Sequence, residues 1–256
     1  MVHLFPFSSL FTSDKIVNLF VVNFTSIQLL LKALKFLFLS YDILKNLDFI
    51  KAISTPFFQL IYWTKFIKVG ETKHISRHIK GKGIIISNHV SYVDALVIYM
   101  QHLSRRPRIV IGKDMLSIIR PVFARACTSA RVIPIARNGE NDVDGINLLN
   151  AVLSSNGLVA IFPEGHVNNH DNIDKFMEGT ALFALLNKAL IYPRVFLNKP
   201  KPFHINYVVI GEPIDLNSYF TDRLIINADT LAKANNILYE KVNFLYNKGN
   251  QLRRER

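Results

Sequence analysis

From Lys82 onward the chain alternates short apolar runs with longer stretches of helical periodicity, and this alternation restricts the fold more than any other feature. The segments Ile84–Ser87, Arg108–Gly112, Arg131–Ala136, Leu158–Phe162 and Ile205–Ile210 read as strands. Helical spacing fills the gaps at Tyr92–His102, Asp114–Ala126 (interrupted by Pro121), Val143–Ser154 and Glu178–Lys188, and Ala228–Tyr246 reads as a terminal helix. Strand–helix alternation of this kind predicts an α/β fold, a mostly parallel sheet flanked by helices. Sites in such sheets form where strands end and helices begin. Three polar segments fall at such ends: Asn88-His89, "IPIAR" at 133–137 and "FPEG" at 162–165. They are expected to converge on one cleft.

The charge balance narrows the partner. The chain carries 31 basic against 19 acidic residues, a formal charge of +12. Such an excess favours nucleic acid, a phospholipid surface or a phosphorylated substrate. The basic residues are scattered, and no zinc spacing, P-loop or RNA-recognition motif accompanies them, so no nucleic acid partner is expected. Half of the residues are hydrophobic, and that content together with positive charge fits a membrane surface. Cys127 is the only cysteine. It rules out an internal disulfide and reads as a packing residue at the end of an amphipathic helix.

The first 50 residues differ from the rest. Ile16–Leu31 is a 16-residue stretch without charge, short of the roughly 18 to 20 residues of a spanning helix. Asp14, Asn18, Thr25, Gln28, Lys32 and Lys35 share one broad helical face, which predicts an amphipathic helix lying in the membrane interface. A short spanning anchor with snorkelling lysines and a helical hairpin packed on the protein itself are the alternatives. The start lacks the basic region and cleavage site of a signal peptide. A second helix is predicted over 57–67, with Tyr62, Trp63 and Lys65 suited to the headgroup level.

The spacing His89-x4-Asp94 admits two readings. Ser91 and Asp94 have the spacing of a capping box, which makes Asp94 structural. The first helical turn can also swing Asp94 back to hold one imidazole nitrogen of His89, leaving the other free to act as a base on a substrate hydroxyl. One carboxylate can serve both roles. His166 and His170, with Asp171 beside them, form the one conceivable metal cluster, but they lie in a loop-like stretch without the spacing of H-E-x-x-H, and no metal is expected.

"NHVSYVD" at 88–94, "RVIPIAR" at 131–137 and "IFPEG" at 161–165 occur in this order. Together they resemble the first three sequence blocks of the glycerolipid (lysophospholipid) acyltransferases, a family that includes 1-acylglycerol-3-phosphate and lysophosphatidylethanolamine acyltransferases. Tyr192-Pro193 resembles the fourth block weakly, and "VVIGEPIDL" at 208–216 looks like the strand that closes the domain. The resemblance covers roughly residues 57–220.

The resemblance implies that His89 is the general base, Asp94 its partner, and Arg137 a ligand of the acceptor phosphate, together with the backbone and side chains around Glu164 and Gly165. A phosphate calls for a guanidinium or a set of backbone N–H groups. Glu164, itself anionic, suits an anchor for Arg137 or for the loop. The chain also departs from the family. His166, Val167 and Asn168 follow "FPEG" where many members have Thr and Arg; Met177-Glu178 interrupts a usually basic "F-K-x-G"; Arg131 stands where glycine is common. Arg131 and His166 are therefore substitute candidates for the phosphate grip.

The implied reaction moves a fatty acyl group from acyl-CoA or acyl carrier protein to the hydroxyl of a lysophospholipid, foremost 1-acylglycerol-3-phosphate. It uses no cofactor beyond the thioester co-substrate. On this reading residues 1–56 are a membrane-associating helical segment, 57–256 are the acyltransferase domain, and the protein works at the cytoplasmic face of a membrane. Two other readings compete: a non-enzymatic membrane-surface protein, and an acyltransferase for another amphipathic acceptor.

Overall fold

The computed structural model describes residues 56–71, 75–102, 104–118, 132–136, 142–170, 172–220 and 226–255. The predicted membrane-associating helix before residue 56 lies outside them, as does Cys127. Among the described residues no helix is long and apolar enough to cross a membrane.

These residues build a seven-stranded mixed sheet. Its strands are β1 (Thr64–Lys68), β2 (Gly83–Ile86), β3 (Arg108–Gly112), β4 (Val132–Ile135), β5 (Leu158–Ile161), β6 (Leu190–Phe196) and β7 (Asn206–Ile210), in the order β1-β7-β6-β2-β5-β3-β4. All neighbours pair in parallel except β6 and β7. The helices are α1 (Asp94–Gln101), α2 (Lys113–Ile118), α3 (Val143–Ser154), α4 (Gly179–Asn187) and α5 (Ala228–Arg254).

The central strands are continuous apolar runs because both of their faces are covered. In β2, Ile84 and Ile86 pack with Leu149, Leu153, Ala184 and Leu238 from α3, α4 and α5, while Ile85 turns to the opposite face with Val97 and Ile98 of α1. In β5, Val159 and Ile161 share the first face, and Leu158 and Ala160 the second. Every residue of β2 and β5 is buried. Burial of this kind stabilises by about 25 cal/mol per Å² of apolar surface.

Two elements differ from the sequence expectation. The helix predicted over 57–67 ends early: residues 56–61 are helical, and Thr64–Lys68 is an edge strand paired with β7. In "TKFIK" Phe66 and Ile67 turn to opposite faces of the sheet, each packing with a different core cluster, an alternation hidden by the aromatic run before it. The second difference is β6, which the sequence reading left unassigned. Pro193 lacks a ladder donor, which ordinarily argues against a central strand. It is tolerated because it pairs with Ile86 at the end of the β2 ladder, and the β7 ladder begins at Arg194. At the termini of the helices, α2 begins one residue earlier than expected and is described only as far as Ile118, and α5 continues past Tyr246 to Arg254, with Arg253 and Arg254 complementing the negative end of its dipole.

The parallel set β2, β3, β4 and β5 fixes the site. The loops that follow these strands open on one edge of the sheet, as expected of open α/β sheets.

Candidate active site

His89 follows β2 and stands 3.2 Å, Nδ1 to Oδ2, from Asp94 at the first residue of α1. Asp94 is fully buried, and His89 keeps 17% of its side chain exposed. The same Asp94 Oδ2 accepts the backbone N–H groups of Val90 and Ser91, both at 2.7 Å. An oxygen that accepts two N–H bonds is an acceptor towards the ring as well. Nδ1 therefore carries the proton, and the lone pair lies on Nε2, which no described residue engages. Oδ1 of Asp94 is buried and has no partner among the described residues. Burial pushes the Asp94 carboxyl above its usual range, against the lowering effect of His89 and of the two backbone bonds.

The capping box is formed in part. Asp94 takes the Ser91 N–H, but Ser91 Oγ accepts from Val93 N at 3.3 Å rather than from the Asp94 N–H. Asp94 thus shapes the turn and holds the imidazole at once.

The loop after β5 completes the support. Phe162 stacks on the His89 ring at 4.3 Å between centroids, and Tyr92, largely exposed, meets it edge-on at 6.4 Å. Glu164 is buried and serves the loops with both oxygens: Oε1 accepts the His89 N–H at 2.8 Å, and Oε2 accepts from Asn168 Nδ2 and from the Asp174 N–H, each at 3.0 Å. The Asn168 N–H donates to the His89 carbonyl at 2.6 Å. On the other side of β2, Asn88 bonds both the N–H and the carbonyl of Phe196, at 2.8 and 3.0 Å. The histidine loop is therefore sewn to β5 and β6, so its ring is placed before any ligand arrives. Gly165 has φ +74°, and a Cβ there would run into Met177 Sδ; only glycine makes this turn without strain.

His166 is exposed, and both of its ring nitrogens face oxygens, the Glu164 carbonyl and Asp174 Oδ2, each at 2.9 Å. The structure thus brings together His89, Asp94, Glu164, Gly165 and His166. Arg131 and Arg137 lie outside the described residues, although Ala136, immediately before Arg137, is placed at the end of β4. That strand is three places from β2, roughly 14 Å at about 4.8 Å per strand. Among the described residues no three His, Cys, Asp or Glu side chains group as a metal cage would; Asp171 of the histidine-rich loop is not described.

Phe162 and Asn168 are contacts that the sequence reading missed. Phe162 was legible only as the first letter of "FPEG", and Asn168 only as a departure from the family pattern. Lys113 was missed too. It follows β3 directly and pairs with Asp142 at 2.8 Å; its signal was a cation at a strand end.

A family model described as Acyltransferase matches residues 66–197, just over half of the chain. By structure the chain is similar to the 1-acyl-sn-glycerophosphate (LPA) acyltransferase PlsC from Thermotoga maritima, with a TM-score of 0.51 and 14% identity over 75% of this chain and 73% of that one. At that identity the likeness is one of fold. No curated protein matches by sequence.

Proposed function

Because the chain belongs to the acyltransferase family, we propose that it esterifies the free hydroxyl of a lysophospholipid, foremost 1-acylglycerol-3-phosphate, with an acyl group from acyl-CoA or acyl carrier protein. The observation that carries this reading is the His89–Asp94 pair, with Nδ1 held and Nε2 unengaged. In the proposed step, Nε2 takes the acceptor's hydroxyl proton as the oxygen attacks the thioester carbonyl carbon. The new C–O bond forms, the C–S bond breaks, and the proton passes to the departing thiolate. Asp94 stabilises the imidazolium formed in between. No enzyme nucleophile and no cofactor beyond the thioester enter this scheme.

The acceptor phosphate is assigned to cations at the same edge of the sheet. Arg137 follows β4 in the chain, and a guanidinium offers a phosphate paired N–H donors. Lys113, which follows β3, is a further cation at this edge, whereas Arg131 precedes β4 in the chain, at the end of the strand away from His89. His166, tethered to Asp174, stands where many members of the family carry a small hydroxyl residue. Glu164 and Gly165 shape the loop rather than supply charge. Residues 1–56 are assigned to holding the domain at the cytoplasmic face of a phospholipid membrane, which would present an amphipathic acceptor.

The test is direct. Purified full-length protein is incubated with labelled acyl-CoA or acyl carrier protein and a panel of lysophospholipids differing in headgroup. Diacyl product with lysophosphatidic acid above the other acceptors is expected. Product with another amphipathic acceptor alone would reassign the substrate, and no product with any pair would favour a binding role.

A further inference from the structure

Helix α1 carries Asp94 at one end and Gln101 at the other. Seven rises of about 1.5 Å separate these ends by roughly 10 Å. Gln101 and the next residue, His102, line a crevice of about 580 Å³, whose other walls are the 56–61 helix, β1, Arg77 with His78, and Arg194 of β6. This volume lies in the range of small-ligand sites.

The crevice is cationic, and two of its lining residues carry buried side-chain atoms without a partner among the described residues. Arg194 is 1% exposed. Its guanidinium donates to the Pro193 carbonyl at 3.1 Å and to the Ser76 carbonyl at 2.9 Å. Among the described residues no carboxylate pairs with it. Burial lowers its pKa to about 10. Arg77, exposed, lies over the Phe66 ring at 4.0 Å and adds a second guanidinium. His102 is 4% exposed, and among the described residues neither its Nε2 nor either polar atom of the Gln101 side chain has a partner. Burial, followed by the charges of Arg194 and His78, lowers the His102 pKa to about 3, so the ring is neutral and can accept as well as donate. Buried polar groups in folded proteins are almost always bonded. Gln101 and His102 line the cavity, three of their buried side-chain atoms lack a partner among the described residues, and the guanidinium beside them has no carboxylate, so an anion with several oxygens that enters the cavity would be met by amide and guanidinium donors. Tyr62, Trp63 and Phe66 supply an apolar wall for the rest of such a molecule.

We propose that this crevice binds a phosphate-bearing ligand, with the phosphate held by Arg77, Arg194 and Gln101 and the body of the molecule laid against Tyr62 and Trp63. The phosphate could belong to a coenzyme-A-type nucleotide, to an anionic lipid headgroup or to inorganic phosphate, since all three offer the same oxygens. The inference is independent of the acyl-transfer chemistry, because binding is read without turnover.

Trp63 is the only tryptophan of the chain and lines the crevice, so its emission reports occupancy. Full-length protein is titrated with inorganic phosphate, with coenzyme A, and with phosphatidylcholine vesicles with and without phosphatidylglycerol. A saturable change with at least one phosphate ligand is expected, weakened about tenfold or more in Arg77→Gln and in Gln101→Leu. A response to coenzyme A alone identifies a nucleotide, a response confined to phosphatidylglycerol vesicles identifies a headgroup, and an equal response to inorganic phosphate identifies a simple anion site; each supports the proposal. Arg77 is exposed, so its variant folds where an Arg194 variant could fail. No saturable response to any ligand, or affinities unchanged in both variants, overturns the site.

Discussion

Asp94 and Asp142 both stand where a helix begins after a strand, Asp94 as the first residue of α1 and Asp142 as the N-cap of α3, yet their surroundings make them opposites. Asp142 caps α3. Its carboxylate accepts from Lys113 Nζ at 2.8 Å, the Ala136 N–H at 2.6 Å and the Gly145 N–H at 3.1 Å, so both oxygens are occupied. The Lys113 ammonium, helped by those two backbone groups, holds its carboxyl below the usual carboxylate range. Asp94 gathers its bonds on one oxygen, leaves the other without a partner among the described residues, and faces an imidazole rather than an ammonium. Burial raises its pKa. A carboxylate that collects backbone N–H groups at a helix start is a fastening when a fixed cation completes it. With an imidazole partner and an unsatisfied oxygen it becomes a group of raised proton affinity aimed at a base, the kind of perturbation that clusters at reactive sites.

The largest effect that tests this contrast belongs to His89→Ala. Removing the base should cost about 10²- to 10⁴-fold in acyl transfer, with the melting temperature close to wild type. Wild-type turnover by a folded alanine variant would end the general-base assignment. The next effect separates the two aspartates. Asp94→Asn can keep one acceptor oxygen facing Val90, Ser91 and Nδ1, since all three bond the same Oδ2, but it removes the negative charge that stabilises the imidazolium. Turnover should fall about 10²-fold while stability holds. Asp142→Asn should do the reverse, lowering the melting temperature and leaving turnover near wild type. If Asp94→Asn lowers melting and spares turnover, the capping role accounts for Asp94 by itself.

Titration sharpens the same comparison. The depressed pKa of Asp142 means that the folded state binds fewer protons than the unfolded one below the unfolded value of about 3.9. Its stabilisation is present above that pH and is lost as pH falls through the folded pKa. The raised pKa of Asp94 has the opposite sign, because the folded state binds more protons between the unfolded value and the folded pKa. Its ionisation opposes folding at neutral pH, and that cost disappears as pH falls. Urea unfolding against pH should therefore show any stability advantage of Asp94→Asn shrinking from pH 7 towards about 4. Asp142→Asn should flatten the acid loss below about pH 4. An advantage of Asp94→Asn that grows as pH falls would reverse the sign assigned to Asp94.

What could be read from the sequence follows the range of the interactions. Arg108–Gly112 and Val143–Ser154 match their predicted bounds because local hydrophobic pattern sets them. The edge strand Thr64–Lys68 and the strand Leu190–Phe196 escaped, one masked by a neighbouring aromatic run and the other by Pro193 and Arg194, whose positions make sense only once β2 and β7 lie on either side. At the site, the five-residue spacing from His89 to Asp94 was visible. The bond from the His89 N–H to Glu164 spans 75 residues and left no local trace. The same is true of the ring stacking by Phe162. The departure at 166–168 has its physical counterpart in Asn168, which bonds Glu164 Oε2 and the His89 carbonyl, and in His166, which bonds Asp174.

The smallest expected effect concerns Glu164, which the contrast between the aspartates casts as a fastening although it sits beside the reacting histidine. Its three bonds all go to the protein, so it touches the chemistry only through the position of His89. Glu164→Gln can still accept the His89 N–H with its carbonyl oxygen. Its amide nitrogen would then face two donors, Asn168 Nδ2 and the Asp174 N–H, where the native oxygen accepts both. The 164–174 loop should loosen, and with it the Asn168 hold on the His89 carbonyl. One ordinary hydrogen bond is worth about 0.5–1.5 kcal/mol, which corresponds to roughly a two- to tenfold loss in kcat/KM. The pH profile of kcat should keep its shape, because the His89–Asp94 pair is untouched, and a fastening role moves rate without moving the titration. A loss as deep as that of His89→Ala, or a displaced pH profile, would place Glu164 among the groups that act on the substrate.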